Sequence, residues 1–251
     1  MKINKRNYYG KNANAEYMSF SQFKDFMKCP AMAVAKINGT YKPVSSDSML
    51  VGSYVDSWLD GELDRFVTEN PEMFTKQGEL KAPFRKADEL CKIIQDDEYL
   101  YGKLKGSRQK IVTGIISGVP FKGKIDSLLP DEIVDGKVLK DCNDVWLDGE
   151  RKPFYMANRY DIQAFIYTEL YRQMTGKKLP FTLAVVTKET TPDKRLIRIN
   201  DTALQTAEDY VRENATVFND IKHGKIKAVG CGKCPYCLSI KKLTVDSYEI
   251  L

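Results

Sequence analysis

Histidine is almost absent: His223 is the single example in 251 residues. That excludes an HExxH zinc site, a finger with two Cys and two His ligands, and any three-histidine metal site. A Ser-His-Asp triad would have to use His223, which stands in Ile221-Lys222-His223-Gly224. A histidine in the last turn of a helix, next to a capping glycine, suits a structural role at the C-terminal carbonyls. Long apolar runs are missing as well. No stretch of about 18 apolar residues occurs, so no membrane span is expected. The segment Met1-Lys2-Ile3-Asn4-Lys5-Arg6 has no apolar core of the signal-peptide kind, and the cytoplasm is the expected compartment. There, cysteines are usually thiols or ligands rather than disulfides. Neither sign of charge dominates: 39 Lys plus Arg against 34 Asp plus Glu leaves +5. Such a balance permits a polyanionic partner without demanding one. Internal repeats and low-complexity linkers are also lacking, so one α/β domain is expected over residues 1–251.

What is present is an ordinary globular composition, 43% hydrophobic and 29% charged, enough to build a core without disulfide staples. Residues 1–17 are polar and read as a loosely held arm. Ser19-Phe20-Ser21-Gln22 has the spacing of a helix capping box, and Phe20, Phe23, Phe26 and Met27 follow at helical spacing. Cys29-Pro30 interrupts that run. Further helices are expected from about Ser48 to Leu59, closed by Gly61, and from about Pro83 to Asp97. The character then changes. Gln109 to Ile116, Phe121 to Leu129 and Glu132 to Leu139 read as a three-strand meander, with turns at Gly118-Val119-Pro120 and Pro130-Asp131. A helix over Tyr160 to Met174, strands at Thr182 to Thr187 and Arg195 to Ile199, and a long helix to about Ile221 complete the pattern. The tail, 230–251, carries three cysteines.

The meander holds the sharpest chemistry. Asp126 ends Gly123-Lys124-Ile125-Asp126, and Asp135 and Lys137 lie in Ile133-Val134-Asp135-Gly136-Lys137. Residues i and i+2 of a strand share a face, so Asp135 and Lys137 point together and a hairpin register can set Asp126 beside them. Converging carboxylates suit Mg²⁺ or Mn²⁺. Such an ion lowers the pKa of its water and polarises a phosphoryl oxygen, while a lysine orients or deprotonates that water or stabilises the developing charge. The bland reading of D-x-K in a strand is a solvated face.

Strand–turn–strand–turn–strand with a carboxylate before the second turn resembles the PD-(D/E)XK nuclease core. The chain is similar to the RecB/RecE-type members, phage exodeoxyribonuclease VIII-like proteins and the RecB-like iron–sulfur nucleases of CRISPR adaptation. Five segments carry the likeness in order: Ser19 to Pro30, Val51 to Asp56, Gly123 to Asp126, Val134 to Lys137, and Tyr160 to Tyr167. The resemblance implies a mixed central β-sheet flanked by helices. It implies metal ligation by Asp126 and Asp135, action of Lys137 on the nucleophilic water, and support of the site and DNA contact by Gln163 and Tyr167. Two departures stand out. Asp56 occupies the place where the family commonly has His, and it is read as a third metal ligand because its oxygen suits Mg²⁺ better than an imidazole does. Gly136 fills the middle of D-x-K, where an apolar residue is usual; this marks either a close backbone approach or a degraded site.

Cys231-Gly232-Lys233-Cys234-Pro235-Tyr236-Cys237 has C-x2-C-x2-C spacing, so three thiolates can wrap one centre. Cys29, at the helix break before Pro30, suits the fourth place better than Cys91 or Cys142, which look like small buried residues. Relatives in the resembled group place one Cys in an N-terminal Cys-Pro pair and three near the C-terminus, around a 4Fe-4S cluster. Four thiolates also suit structural Zn²⁺, and spacing alone leaves both open. Either centre would be structural, packing the tail back on the N-terminal helix.

Basic residues gather at Lys81, Arg85 and Lys86, at Lys103, Lys105, Arg108 and Lys110, and at Lys222, Lys225 and Lys227. They read as solvated faces or, beside a nuclease site, as phosphate contacts. The expected function is a metal-dependent DNA exonuclease of phage or prophage recombination or repair, acting on linear duplex ends. A single-strand annealing protein and further copies of the chain are the other expected partners. The rival readings are an inactive DNA-binding or assembly protein with the same fold, and a cysteine–metal interaction module.

Overall fold

The structure is a computed structural model and describes residues 1–44, 46–147 and 149–243. The end of the expected tail, 244–251, lies outside the described residues. In chain order the first helices are α1 (Lys11–Glu16), α2 (Phe20–Lys28), α3 (Pro30–Ile37), α4 (Asp47–Asp60), α5 (Leu63–Glu69), α6 (Ala82–Gln95) and α7 (Glu98–Leu104). The later ones are α8 (Phe154–Ala157), α9 (Tyr160–Thr175), α10 (Asp201–Lys222) and α11 (Pro235–Ser239). The strands are β1 (Met18–Ser19), β2 (Ser107–Ile116), β3 (Val119–Leu128), β4 (Ile133–Leu139), β5 (Val145–Leu147), β6 (Glu150–Lys152), β7 (Phe181–Thr187) and β8 (Lys194–Arg198). The described residues gather into two compact units. One comprises 1–43, 115–121 and 210 onward; the other comprises 44–114 and 122–209.

The larger unit holds the mixed sheet. β2 pairs with β3, and the order continues β3-β4-β7-β8. β3 and β4 are antiparallel, β4 and β7 parallel, and β7 and β8 antiparallel. Every residue of β7 is buried, the mark of a central strand covered on both faces. On one face, Val134, Ala184 and Val186 pack against Val51 and Val55 of α4, Leu90 and Ile94 of α6, and Leu104 of α7. Cys91 belongs to this cluster as an ordinary buried thiol, its pKa pushed up to about 12 by burial. The other face carries α9, in which Tyr160 through Leu170 are all buried. α4 starts on Ser46 and stops at Gly61, whose φ of 72° is the left-handed conformation of a helix-ending glycine. A separate hairpin, β5–β6, was not anticipated from the sequence.

The smaller unit is built on aromatics. Phe23 packs edge-on against Phe218 at 4.9 Å, and Phe26 stacks on the same ring at 5.6 Å. Residues 1–17 are not a loose arm: they contain α1, with Tyr8 and Ala13 buried. Half of the expected capping box forms, since Ser19 Oγ accepts from Gln22 N at 3.2 Å. The Gln22 amide donates instead to Asn14 O at 2.9 Å. The β2–β3 turn lies one residue earlier than expected. Ser117 and Gly118 both have positive φ (48° and 76°), as a two-residue type I′ hairpin requires. His223 caps its helix, with Nδ1 2.8 Å from Asn219 O.

Much of the basic character is used internally. Arg108 pairs with Asp60 at 2.7 Å, Lys105 donates to Leu59 O at 2.9 Å, and Lys103 is ion-paired with the buried Glu132. Lys86 pairs with Glu89 and Lys225 with Asp220, each at 2.9 Å. Arg108, Lys105 and Lys103 thus tie separate elements together, whereas the Lys86 and Lys225 pairs are local.

Two glycines of the larger unit differ in what surrounds them. A Cβ on Gly106 would lie 2.6 Å from Leu128 O and 2.7 Å from Ser127 Oγ, which itself accepts from Gly106 N. A Cβ on Gly136 would meet only Leu104 Cδ2, at 3.2 Å. Gly106→Ala should therefore cost roughly 1–3 kcal/mol, read as a melting point lower by several degrees. Gly136→Ala should cost clearly less. Thermal melts of both variants check this, and equal losses would contradict it.

Candidate active site and cysteine centre

Strand register assembles the first site. Ser127 pairs with Val134 and Leu128 with Ile133. One step further along that register, Asp126 comes opposite Asp135, and Asp126 Oδ2 accepts from Gly136 N at 3.2 Å. Asp135 and Lys137 lie on one face of β4, and Lys137 Nζ is in ion-pair contact with Asp135 Oδ2. From α9, Gln163 Nε2 donates to Asp135 Oδ1 at 2.7 Å. α4 contributes Asp56, whose carboxyl lies in the field of Asp126, Lys137, Arg108 and Asp135. All the carboxylates expected at the site, together with Lys137, Gln163 and Tyr167, thus gather in the larger unit. Gln163 and Tyr167 are buried rather than a surface pair.

Two site residues were not singled out from the sequence. Lys137 Nζ lies over the Tyr160 ring, 5.4 Å from its centroid, a cation–π contact on the buried side of the ammonium. Tyr160, Gln163 and Tyr167 share one face of α9 at i, i+3 and i+7, and that spacing was the available signal. Gly123 is the other. A Cβ there would sit 2.9 Å from two carbons of the Tyr167 ring and 3.1 Å from Val112 Cγ2. The glycine of the Gly-x-Ile-Asp strand is therefore what lets the Tyr167 ring come this close to β3, with Gln163 one turn away at Asp135.

The electrostatics are those of crowded anions. Asp56 is raised to about 8, by burial first and then by Asp126 and Asp135, against the pull of Lys137 and Arg108. Asp135 is raised to about 7, again by burial first, with Asp126 adding and Lys137 opposing. Burial works against the Lys137 ammonium, but Asp135 and Asp126 outweigh it and hold the lysine above its ordinary range. Tyr167 is raised by burial and by the same two carboxylates. Gln163 Oε1 is buried without a hydrogen-bond partner, whereas the buried Asp135 Oδ2 is met by Lys137 Nζ. Buried carboxylates crowded together, each raised by burial and by its acidic neighbours, suit a hard divalent cation, which would supply positive charge and take oxygen ligands. Asp56, Asp126 and Asp135 would hold it.

The second site lies in the smaller unit. Cys29, Cys231, Cys234 and Cys237 bring their sulfurs within 4.8 Å of one another, as the sequence pattern anticipated. Cys29 and Cys237 are buried and Cys231 and Cys234 half-buried. Cys29 ends α2 and starts α3, its Sγ accepting from Met32 N at 3.5 Å. Cys234 starts α11 in the same way, accepting from Cys237 N at 3.5 Å. The backbone amide of Lys233 first, then that of Cys234, lowers the Cys231 thiol to about 6. The tail reaches the N-terminal helices through the backbone as well, Ala31 N donating to Val229 O at 3.2 Å.

A mixed sheet with helices on both faces and an acidic–lysine cluster at the β3–β4 register defines the PD-(D/E)XK nuclease class of fold. The family model for a PDDEXK-like domain of unknown function (DUF3799) matches residues 19–239, and the chain belongs to that family. A solved structure from Eubacterium rectale, described as "Putative exonuclease", is 40% identical. It superposes with a TM-score of 0.94, the match covering 97% of this chain and 95% of the other. No curated protein matches the chain. Among the described residues, no helix is long and apolar enough to cross a membrane.

The raised Asp56 has a measurable sign. An ordinary aspartate ionises near 3.8, while Asp56 in the fold keeps its proton up to about 8. Between those values folding takes up a proton, so Asp56 subtracts stability as pH rises from about 4 to about 8. With divalent ions chelated, Asp56→Asn should melt above wild type by about a few degrees at pH 8, and the gap should close toward pH 4. Melting curves across that range test the point; a gap independent of pH would show that the carboxyl is not held protonated.

Proposed function

We propose that this protein is a divalent-metal-dependent deoxyribonuclease that degrades linear duplex DNA from its ends. The observation that carries the reading is the convergence of Asp56, Asp126, Asp135 and Lys137, with Gln163 Nε2 fixing Asp135 at 2.7 Å. When bound, Mg²⁺ or Mn²⁺ supplies positive charge that polarises a phosphoryl oxygen and acidifies water. The protein's own groups do the rest. Asp126 and Asp135 present oxygens from adjacent strands, and Asp56 adds a third from α4. Lys137, held as an ammonium, orients the attacking water and stabilises negative charge developing on phosphorus oxygens. Gln163 keeps Asp135 in register and Tyr167 packs on β3 at Gly123, and the likeness to RecB/RecE-type proteins implies that both also touch DNA. A Cβ on Gly136 would meet Leu104 Cδ2 at 3.2 Å, a close approach that favours the intact reading of the site over the degraded one.

Action at ends rather than within duplexes rests on the likeness to RecB/RecE-type proteins and on the name carried by the Eubacterium rectale neighbour. A place in phage or prophage recombination or in repair, a single-strand annealing protein as partner, self-association and a cytoplasmic setting belong to the same reading. So does the action of residues 1–251 as one nuclease domain, which the family match supports by running through both compact units.

The test is degradation of linear and closed circular duplexes with Mg²⁺ or Mn²⁺, wild type beside Lys137→Ala. Linear DNA alone should disappear, only with metal, and the variant should be slower by about a hundredfold or more while melting like a folded protein. Cleavage that ignores chelation, or that persists in the variant, would overturn the assignment. Folded wild type that binds DNA without cutting it would leave a DNA-binding role instead.

A further inference from the structure

The four cysteines allow a sharper statement than their spacing in the sequence does. Cys29 Sγ lies 3.6 Å from Cys237 Sγ, and all four sulfurs fall within 4.8 Å of one another. A single tetrahedral ion with Zn–S bonds of about 2.3 Å sets its sulfurs about 3.8 Å apart. A 4Fe-4S cube carries one thiolate on each of four irons. Its sulfurs lie on a larger tetrahedron, with edges of about 6 Å, because an iron–iron separation is added to the single-ion edge. The sulfurs here are too close for the cube and suit the single ion.

The backbone around them agrees. Cys231 N donates to Cys29 Sγ at 3.4 Å, Cys234 N to Cys231 Sγ at 3.3 Å, and Cys237 N to Cys234 Sγ at 3.5 Å. Gly232, with φ of 75°, turns the chain within the first C-x2-C step. A Cβ on Gly230 would stand 2.9 Å from Cys237 Sγ, so the backbone wraps tightly over the sulfurs. Opening the set to cube dimensions would break these contacts together with the caps of α3 and α11.

We infer that Cys29, Cys231, Cys234 and Cys237 hold one structural zinc ion, and not the iron–sulfur cluster implied by the likeness to RecB-like nucleases. The ion clips the break between α2 and α3 to the segment that ends in α11. Binding releases thiol protons and adds no redox step.

Elemental and acid-labile sulfide analysis tests this on full-length protein purified anaerobically from cells supplied with both iron and zinc. The expected result is one zinc per chain, no sulfide and no broad visible absorption. Four irons and four sulfides per chain would overturn the inference, as would a chain that binds no metal. Replacing the metal by Co²⁺ should give the intense visible bands of a tetrahedral thiolate site with one equivalent bound. Those bands should vanish in Cys234→Ser and persist in Asp126→Asn. The second variant separates this site from the carboxylates, so the outcome does not depend on nuclease activity. A weak, six-coordinate cobalt spectrum in wild type would also refute the assignment.

Discussion

The site is organised by one buried carboxylate. Asp135 is 2% exposed, sits on an interior strand and faces Lys137, Gln163 and Asp126. A carboxylate so placed is expensive unless charge and hydrogen bonds surround it. Lys137 answers from the same face of β4, and Gln163 answers from α9. Removing either would leave a buried anion short of partners, which is why the strand and the helix must be held in fixed register. The stability cost that remains is visible in the raised Asp56 and Asp135, and a divalent cation is the species that would relieve it.

Small residues make that register attainable. Tyr167 can pack so closely on β3 because Gly123 has no side chain, while at Gly136 a Cβ would meet only Leu104 Cδ2, at 3.2 Å. α9 is buried along eleven successive residues from Tyr160 to Leu170, so its position is fixed by packing on every side. Rigidity of this kind suits electrostatic catalysis, in which the polar groups must be aimed before substrate arrives.

The second unit solves a different problem. Several of its helices are short, α1 having six residues and α11 five, and short helices in water do not hold themselves. A ring of sulfurs that also caps α3 and α11 supplies what the helix lengths cannot. Its aromatic core, Phe23 and Phe26 around Phe218, does the remaining work.

The sequence alone determined the order of the main helices and sheet strands, though not α1 or the β5–β6 hairpin, because periodicity two and periodicity 3.6 are local properties written in Ile125, Val134, Phe165 and Leu170. It also marked Asp126, Asp135, Lys137, Gln163 and Tyr167, and it paired Cys29 with the distant triplet, since those residues repeat a recognisable spacing. It could not show that residues 1–17 fold, because the burial of Tyr8 and Ala13 is a property of the packed chain and not of local spacing. Nor could it show that the basic runs are spent on Asp60, Glu132 and Leu59 O, partners about 30 to 50 positions away. The meaning of Gly123 and Gly136, and the contact of Tyr160 with Lys137, were likewise decided by tertiary structure. In each case the deciding quantity is a distance between elements, and a linear pattern holds the identity of both partners without holding their separation.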